Sequence, residues 1–244
     1  MLFRLITVIF ALMIVQMTYA EEAKVENTLS GSIEVGGDNT VGNSENSSFD
    51  AKIELEHGYG SWVNQLTFKA AQKHDSGSLT EDKYNTLLKS IYNFPYQLYV
   101  FVHLGYREDS FSGIYYEKTY IGGFGYHAFA DTDKYGLDFE LGYGQRVTKK
   151  IVNGFIRAKL DYDPGTHIGI IGSYHFSEGD VVKASVSAEL GNDDDFIKQE
   201  YTWEHKLFDA LQLVVSYESL TLTNPGVGKQ KTDAKTSYRL GYSF

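Results

Sequence analysis

The sequence contains no cysteine and only 3 prolines among its 244 residues. Disulfide bonds, thiolate metal sites and cysteine nucleophiles are therefore excluded. Lys and Arg number 22 against 32 Asp and Glu, so the net charge is −10 at pH 7. Binding to nucleic acid requires a basic surface that neutralises phosphates, and a nucleic-acid partner is not expected.

Long apolar segments are also missing, apart from one at the N-terminus. Arg4 precedes an apolar run over residues 5–15, and Thr18 and Ala20 place small residues where signal peptidase reads them. The run is shorter than the about 20 apolar residues that a membrane-spanning helix needs. We therefore predict a signal peptide over residues 1–20, a short N-terminal lead over 21–27 and one domain over 28–244.

Aromatic residues are abundant, with 19 Tyr and 15 Phe, and both favour β-strands. Apolar and polar side chains alternate over residues 96–106 and again over 135–143. This period of two predicts strands, and no segment has a convincing helical period. Thirteen segments alternate in this way. Between residues 146 and 180, where "YDPGT" (162–166) resembles a turn, one segment is expected to be an external hairpin arm or part of a neighbouring strand.

Two kinds of connector largely alternate along the chain. Short ones lie at 57–60, 93–95, 129–134, 177–180 and 207–210, and longer polar ones lie at 37–47, 73–81, 107–114, 191–195 and 223–231. Outer-membrane barrels have this asymmetry, with tight periplasmic turns and longer external loops. Tyr96 and Tyr106 bracket an apolar face that spans roughly 25 Å at a tilt of about 40°, which is the height of a lipid-facing band.

These features predict an all-β protein, a closed antiparallel transmembrane β-barrel of 12 strands, with 10 or 14 strands as alternatives. The alternative is a soluble barrel with the aromatic face inward. The interior of a small barrel cannot hold so many large apolar side chains. Outer-membrane lipid is therefore an expected partner.

The chain ends in an apolar, alternating segment. Tyr238, Leu240, Tyr242 and Phe244 alternate with small or polar residues. The pattern resembles the C-terminal signal that the outer-membrane barrel assembly machinery reads, so that machinery is an expected partner. We also expect the last strand to pair with the first, because lipid cannot satisfy the free backbone groups of a strand edge.

The polar face of the strands carries similar numbers of acidic and basic residues. Charge-selective pores present rings of one sign, whereas a balanced interior favours salt-bridge networks or a narrow, weakly selective path. Candidate residues of the lumen and pore mouth are Arg107, Glu117, Asp138, Glu140, Arg146, Arg157, Lys159 and Arg239.

Signals for catalysis or metal binding are weak, and no catalytic, cofactor or metal site is predicted. Ser173 and His175 lie two residues apart on one strand face, which leaves a lipid-acting hydrolase or acyltransferase as an alternative. The acidic run at residues 192–195 lacks the spacing of an EF-hand loop. Such a loop could still contact cations or lipopolysaccharide, so a surface-binding barrel is a further alternative.

Three stretches resemble one family: "VGNSEN" (41–46), "YREDSFSG" (106–113) and "KTDAKTSYRLGYSF" (231–244). Together they are similar to the YdiY-like proteins, an uncharacterised family described as salt-induced outer membrane proteins. The resemblance implies a barrel in the outer membrane of a Gram-negative bacterium and supplies no catalytic residues. We therefore expect a non-enzymatic barrel, a narrow and weakly selective channel linked to salt or osmotic conditions.

Overall fold

The structure is a computed structural model. It describes residues 27–40, 46–109, 111, 113–129, 132, 134–152, 155–156, 159–192, 194–223 and 230–244. The predicted signal peptide and residues 21–26 of the lead lie outside the described residues, as do Arg157 and Asp193. In the described part, no helix is long and apolar enough to cross a membrane.

The described residues form thirteen β-strands joined by turns and loops. The strands are β1 Asn27–Thr40, β2 Asn46–Tyr59, β3 Trp62–Asp75, β4 Ser78–Asn93, β5 Leu98–Asp109, β6 Ile114–His127, β7 Tyr135–Val152, β8 Phe155–Ile156, β9 Asp161–Ser177, β10 Asp180–Gly191, β11 Phe196–Phe208, β12 Leu211–Leu222 and β13 Thr232–Ser243.

Twelve of these strands close into an antiparallel barrel. Each pairs with its neighbours along the chain, β7 pairs with β9, and β1 pairs with β13 in the register Gly36↔Arg239 to Ser32↔Ser243. Over residues 31–36 of β1 and residues 239–244 at the end of the chain, this pairing joins the two ends of the sheet and satisfies their backbone N–H and C=O groups. The prediction of 12 strands is confirmed.

The short strand β8 explains the excess of alternating segments in the sequence. Within the part of the chain that the structure describes, it pairs with Ile151 and Val152 at the end of β7 and forms a hairpin arm beyond the wall. The turn-like "YDPGT" lies inside β9, where Pro164 pairs with Gln145. The alternation over residues 152–162 therefore does not represent a wall strand, and the expectation of a hairpin arm is confirmed.

The two ends of the barrel differ. Short connections join β2 to β3, β4 to β5, β6 to β7, β9 to β10 and β11 to β12 at one end, which we call the short-turn end. The connection between β10 and β11 and the hairpin arm lie at the opposite end, which we call the long-loop end. The predicted long connector at 73–81 is wrong. Strands β3 and β4 fill most of it and meet in a two-residue turn at Ser76 and Gly77, whose φ angles of 51° and 79° are those of a tight hairpin.

The outward side chains are apolar and aromatic. Phe124, Leu141 and Tyr143 are each more than half exposed on this face. At the short-turn end, ring contacts join Trp62 to Tyr92 at 5.0 Å and Phe129 to Tyr135 at 5.1 Å. Two rims of aromatic residues around an apolar band are the pattern of a lipid-facing surface.

Strand β5 begins two residues later than the sequence alternation suggests. Tyr96 and Gln97 lie in the preceding turn with φ angles of 66° and 65°, and Tyr96 is 91% exposed there. From Leu98 onward the predicted alternation holds, since Leu98 is exposed and Tyr99 is buried. Tyr96 therefore lies at the rim of the barrel rather than in the wall.

Candidate functional site: the lumen

The lumen is crossed by ion pairs in its middle. Lys69 on β3 places its Nζ 2.8 Å from Glu200 Oε1 on β11 and 2.6 Å from Glu218 Oε2 on β12. Strands β2, β1, β13 and β12 separate β3 from β11 in the ring, so this side chain reaches across the interior. Lys198 lies 3.5 Å from Glu200 and 3.6 Å from Glu218, and Lys52 lies 3.8 Å from Glu200. We call these five residues the Lys69 cluster.

A second cluster covers the seam where β1 meets β13. Arg239 Nε donates to Glu34 Oε2 at 2.8 Å, its NH1 donates to Asp50 Oδ1 at 2.6 Å, and its NH2 donates to Ser216 Oγ at 2.7 Å. Lys235 adds a second bond to Asp50 at 2.7 Å. The Glu34 side chain is only 1% exposed, so this carboxylate depends on the guanidinium of Arg239 for charge compensation.

A third cluster lies toward the long-loop end and centres on Arg146. Its NH2 donates to Asp163 Oδ2 at 2.9 Å and to the carbonyl oxygen of Asp194 at 2.6 Å. Glu189 lies 3.7 Å from its NH1, and Glu117 lies 3.9 Å from its Nε. One buried arginine thus compensates three carboxylates and holds the loop between β10 and β11.

Phe196, the first residue of β11, lies between two arginines. Its ring centroid is 5.4 Å from the guanidinium carbon of Arg107 on β5 and 5.3 Å from that of Arg146 on β7. Arg107 also lies 3.4 Å from Glu117. Both guanidiniums interact with the ring as cation–π partners, and the side chains link strands on different sides of the barrel.

The short-turn half of the lumen is partly filled by aromatic rings. Tyr99 and Phe101 project inward from β5, are 1% and 2% exposed, and pack near Ile91 and Ile121. The Tyr99 ring lies flat against Gly125, where a Cβ atom would meet ring carbons at 2.0 Å. Position 125 on the neighbouring strand β6 must therefore be glycine for the Tyr99 ring to fit.

Glu140 forms a buried polar centre beside these rings. It accepts hydrogen bonds from Lys89 Nζ and from the Tyr99 hydroxyl, the latter at 2.8 Å. His167 Nε2 lies 3.5 Å from the other carboxylate oxygen, and His103 packs edge-on against His167 at 6.1 Å. Side chains from three strands therefore contact the carboxylate, and Lys89 compensates its charge.

Above the Lys69 cluster, toward the long-loop end, lies a cavity of about 540 Å³. Its walls come from β2–β5 on one side and β11–β13 on the other, and we call it the vestibule. Basic residues such as Lys73, Lys83 and Lys235 and acidic residues such as Asp109 and Asp233 line it together. The lumen is therefore wide at one end and narrowed by side chains below.

The structure brings most of the predicted lumen residues into these clusters. Arg107, Glu117, Glu140, Arg146 and Arg239 make the ion pairs described above. Asp138 instead pairs with His127 at 2.7 Å near the short-turn end. Lys159 lies outside the wall strands, in the connection before β9, with an exposed side chain, and Arg157 lies outside the described residues.

Glu34 was missed by the sequence analysis. The sequence does contain a signal for Glu34, because Ile33 and Val35 flank this residue in the short alternating run "GSIEVGG". That run alone predicts an inward acid on β1. Its pairing with Arg239 depends on barrel closure, which joins residues that are about 200 positions apart in the chain.

The sequence suggested Ser173 and His175 for catalysis and the acidic run at 192–195 for contact with cations. Ser173 and His175 share the lumen register of β9, on the opposite side of the wall from the apolar outer face. In the acidic loop, Thr223 donates to Asp194, and the Asn192 N–H donates to Asp163. Among the described residues, no group of three or more His, Asp or Glu side chains is arranged to hold a metal ion.

The four alternating apolar residues of the C-terminal segment lie on the outer face. Tyr238, Leu240, Tyr242 and Phe244 are each more than half exposed there. A rim contact joins Tyr242 to Phe244 at 6.4 Å. This stripe lies where the closing strand meets β1, at the position predicted for a lipid-facing seam.

The fold is similar to that of solved outer-membrane porin and channel barrels. The NanC porin aligns with a TM-score of 0.51 at 10% identity, covering 88% of this chain and 98% of that one. A COG4313 outer membrane channel from Pseudomonas putida F1 aligns with a TM-score of 0.53 at 10% identity, covering 93% and 98%. At this identity the likeness shows the fold alone.

The family model described as "protein of unknown function, DUF481" matches residues 33–244. The chain belongs to the DUF481 family, which agrees with its resemblance to the YdiY-like proteins. No curated protein matches the sequence.

Proposed function

We propose that this protein is a non-enzymatic channel in the outer membrane of a Gram-negative bacterium, narrow and weakly selective, whose conductance depends on salt. One observation carries the proposal: the vestibule ends on the Lys69 cluster, where Lys69 reaches Glu200 and Glu218 across the lumen. A solute that passes through the barrel must move past these side chains. The similar barrels named as a porin and a channel support the same class of activity.

Weak selectivity follows from the composition of the constriction. Three lysines and two glutamates meet there, and each ammonium group lies within 4 Å of a carboxylate. Rings of a single sign give charge-selective pores, whereas paired charges leave a small net field. The path is therefore expected to pass small cations and anions with little preference.

Salt dependence follows from the partial exposure of the same pairs. The Lys69 and Glu218 side chains are 23% and 38% exposed, so ions in the vestibule can screen them. The Debye length falls from about 10 Å at 0.1 M to about 3 Å at 1 M ionic strength. Raising the salt concentration weakens the pairs that cross the lumen and lets the side chains move aside.

Single-channel conductance of the refolded mature protein in planar bilayers tests this proposal. We expect small steps whose conductance rises more steeply with KCl concentration than the conductivity of the bulk solution. Lys69→Gln removes the crossing ammonium and should give larger steps at low salt with a weaker salt dependence. Lys206→Gln is the matched control, because Lys206 is exposed at the short-turn end and should leave conductance unchanged.

The outcomes separate the two parts of the proposal. A correctly folded barrel that stays silent at every salt concentration would overturn the channel. Steps that follow only the bulk conductivity, in both the wild type and Lys69→Gln, would overturn the salt response and leave the channel in place.

A further inference from the structure

The outer face of the barrel carries two lysines beside its apolar band. Lys118 on β6 and Lys149 on β7 lie in the outward register, whereas the other lysines and arginines of the described wall strands lie in the inward register. Lys118 is adjacent to Val147, and Lys149 is adjacent to Tyr116. Asp82 and Glu108 also lie in the outward register, but their carboxylates accept hydrogen bonds from Gln72 and from the Tyr106 hydroxyl. The position of the two lysines therefore still requires an explanation.

The two ammonium groups converge on one ring. Lys118 Nζ lies 5.3 Å and Lys149 Nζ lies 6.0 Å from the centroid of Tyr116. Tyr116 in turn stacks on Tyr106 at 6.3 Å and contacts Tyr115 at 5.8 Å. Aromatic rings thus fix the position of both cations and form the floor of a small basic patch, which we call the Tyr116 patch.

Neither lysine of this patch forms an ion pair with a carboxylate of the described residues, and the Glu108 carboxylate accepts a hydrogen bond from the Tyr106 hydroxyl. The ion pairs of the lumen lysines, such as Lys69 and Lys89, join them to acids within 4.0 Å, whereas neither Lys118 nor Lys149 has a carboxylate at that distance among the described residues. Two like charges on neighbouring strands repel each other. An external anion would relieve this repulsion.

The position of the patch identifies the kind of anion. Tyr120 and Tyr143 lie on the same face and nearer the middle of the wall, so the patch lies just beyond the aromatic rim at the long-loop end. Lysine side chains at that level extend to the headgroup region of a membrane. Long loops face the cell exterior in barrels of this kind, where the outer leaflet carries phosphorylated lipid.

We propose that the Tyr116 patch binds a phosphate group of an outer-leaflet lipid, with Lys118 and Lys149 as the phosphate ligands and Tyr116 as their support. The site faces outward from the wall, so a lipid reaches it and a solute in the lumen does not. The acidic loop at 192–195, considered above for lipopolysaccharide, is held by hydrogen bonds to Arg146 and Thr223 instead. This inference rests on the proposed outer-membrane location and not on conduction.

Native mass spectrometry of the refolded protein in detergent tests the site, with diphosphoryl lipid A as the probe. We expect at least one tightly bound lipid A in the wild type. The double variant Lys118→Gln/Lys149→Gln should weaken this binding about 30-fold, since each of the two lysines near a lipid phosphate contributes about 1 kcal/mol and every ~1.4 kcal/mol is a factor of ten. Lipid A with both phosphates removed should bind the wild type and the double variant equally and weakly.

Lys134→Gln is the matched control. Lys134 Nζ lies 5.9 Å from the Tyr174 ring at the short-turn end, which reproduces the lysine–tyrosine contact without a second lysine on the same ring. This variant should retain wild-type binding. Equal loss in the control and the double variant would show general charge attraction and overturn the site.

Folding and membrane insertion are measured on the same samples. Heat-dependent migration on gels reports the closed barrel, and flotation with phospholipid vesicles reports insertion. Failure to insert would overturn the outer-membrane location itself. Normal insertion with no preference for phosphorylated lipid A would overturn only the Tyr116 patch.

Discussion

Gly31 and Phe244 exchange two backbone hydrogen bonds, with N···O distances of 2.9 Å and 3.0 Å. The last residue of the chain thus pairs with the first strand of the barrel and extends the seam between β1 and β13. Its ring remains on the outer face, half exposed. The pairing of Phe244 with Gly31 therefore adds one more residue pair to the hydrogen-bonded contact between β1 and β13.

We predict that Phe244→Asp reduces the yield of folded barrel in cells, because it places a charge on the apolar rim and alters the proposed assembly signal. The fraction that migrates as a heat-modifiable band in membrane extracts measures the effect. Ser243→Ala should behave like the wild type. Equal yields from Phe244→Asp and the wild type would contradict the assembly role of this residue.

Glu34→Ala should destabilise the barrel by about 3 kcal/mol, because it removes one of the two carboxylates that compensate the buried Arg239. Unfolding by guanidinium in phospholipid vesicles measures the change. Asp161→Ala is the control, since the Asp161 side chain and its partner Lys150 are 30% and 51% exposed and their pair should contribute less than about 1 kcal/mol. Similar losses in both variants would argue against a special role for the seam.

Gly125→Ala should destabilise the barrel by about 1–3 kcal/mol, because the new methyl group overlaps the Tyr99 ring. Gly122→Ala is the matched control, since the nearest atom to its added Cβ lies at 3.9 Å. The double variant Gly125→Ala/Tyr99→Leu tests the cause. If the ring is responsible, the two changes will not be additive in the same unfolding assay.

Arg146→Gln should loosen the loop at 192–195 and widen the long-loop end of the lumen. The substitution leaves Glu117, Asp163 and Glu189 without their shared cation and removes one of the two guanidiniums on Phe196. We expect faster proteolysis within the loop and larger conductance steps than in the wild type.

Lys150→Gln serves as the control for that variant, because Lys150 is about half exposed and pairs only with Asp161 at 3.3 Å among the described carboxylates. If Arg146→Gln and Lys150→Gln show the same proteolysis rates and conductance, the Arg146 cluster does not constrict the lumen.

Local pattern was sufficient to predict the class of fold. A side chain in a strand alternates between faces with a period of exactly two residues in the chain, so Leu98 and Tyr99 could be assigned to opposite faces from the sequence. The turns were less predictable. Ser76 and Gly77 close a hairpin within a polar stretch that resembles a long loop, because polar strand extensions beyond an apolar band have the same composition as loops.

The sequence by itself determined that the chain forms a barrel of alternating strands, that one face is apolar and that the other carries charges of both signs. Tertiary structure alone decided which charges meet. Lys69 and Glu200 are 131 positions apart, and Arg239 and Glu34 are 205 apart. Their contacts depend on the order and stagger of the strands around the closed ring, and a period of two carries no information about partners across the lumen.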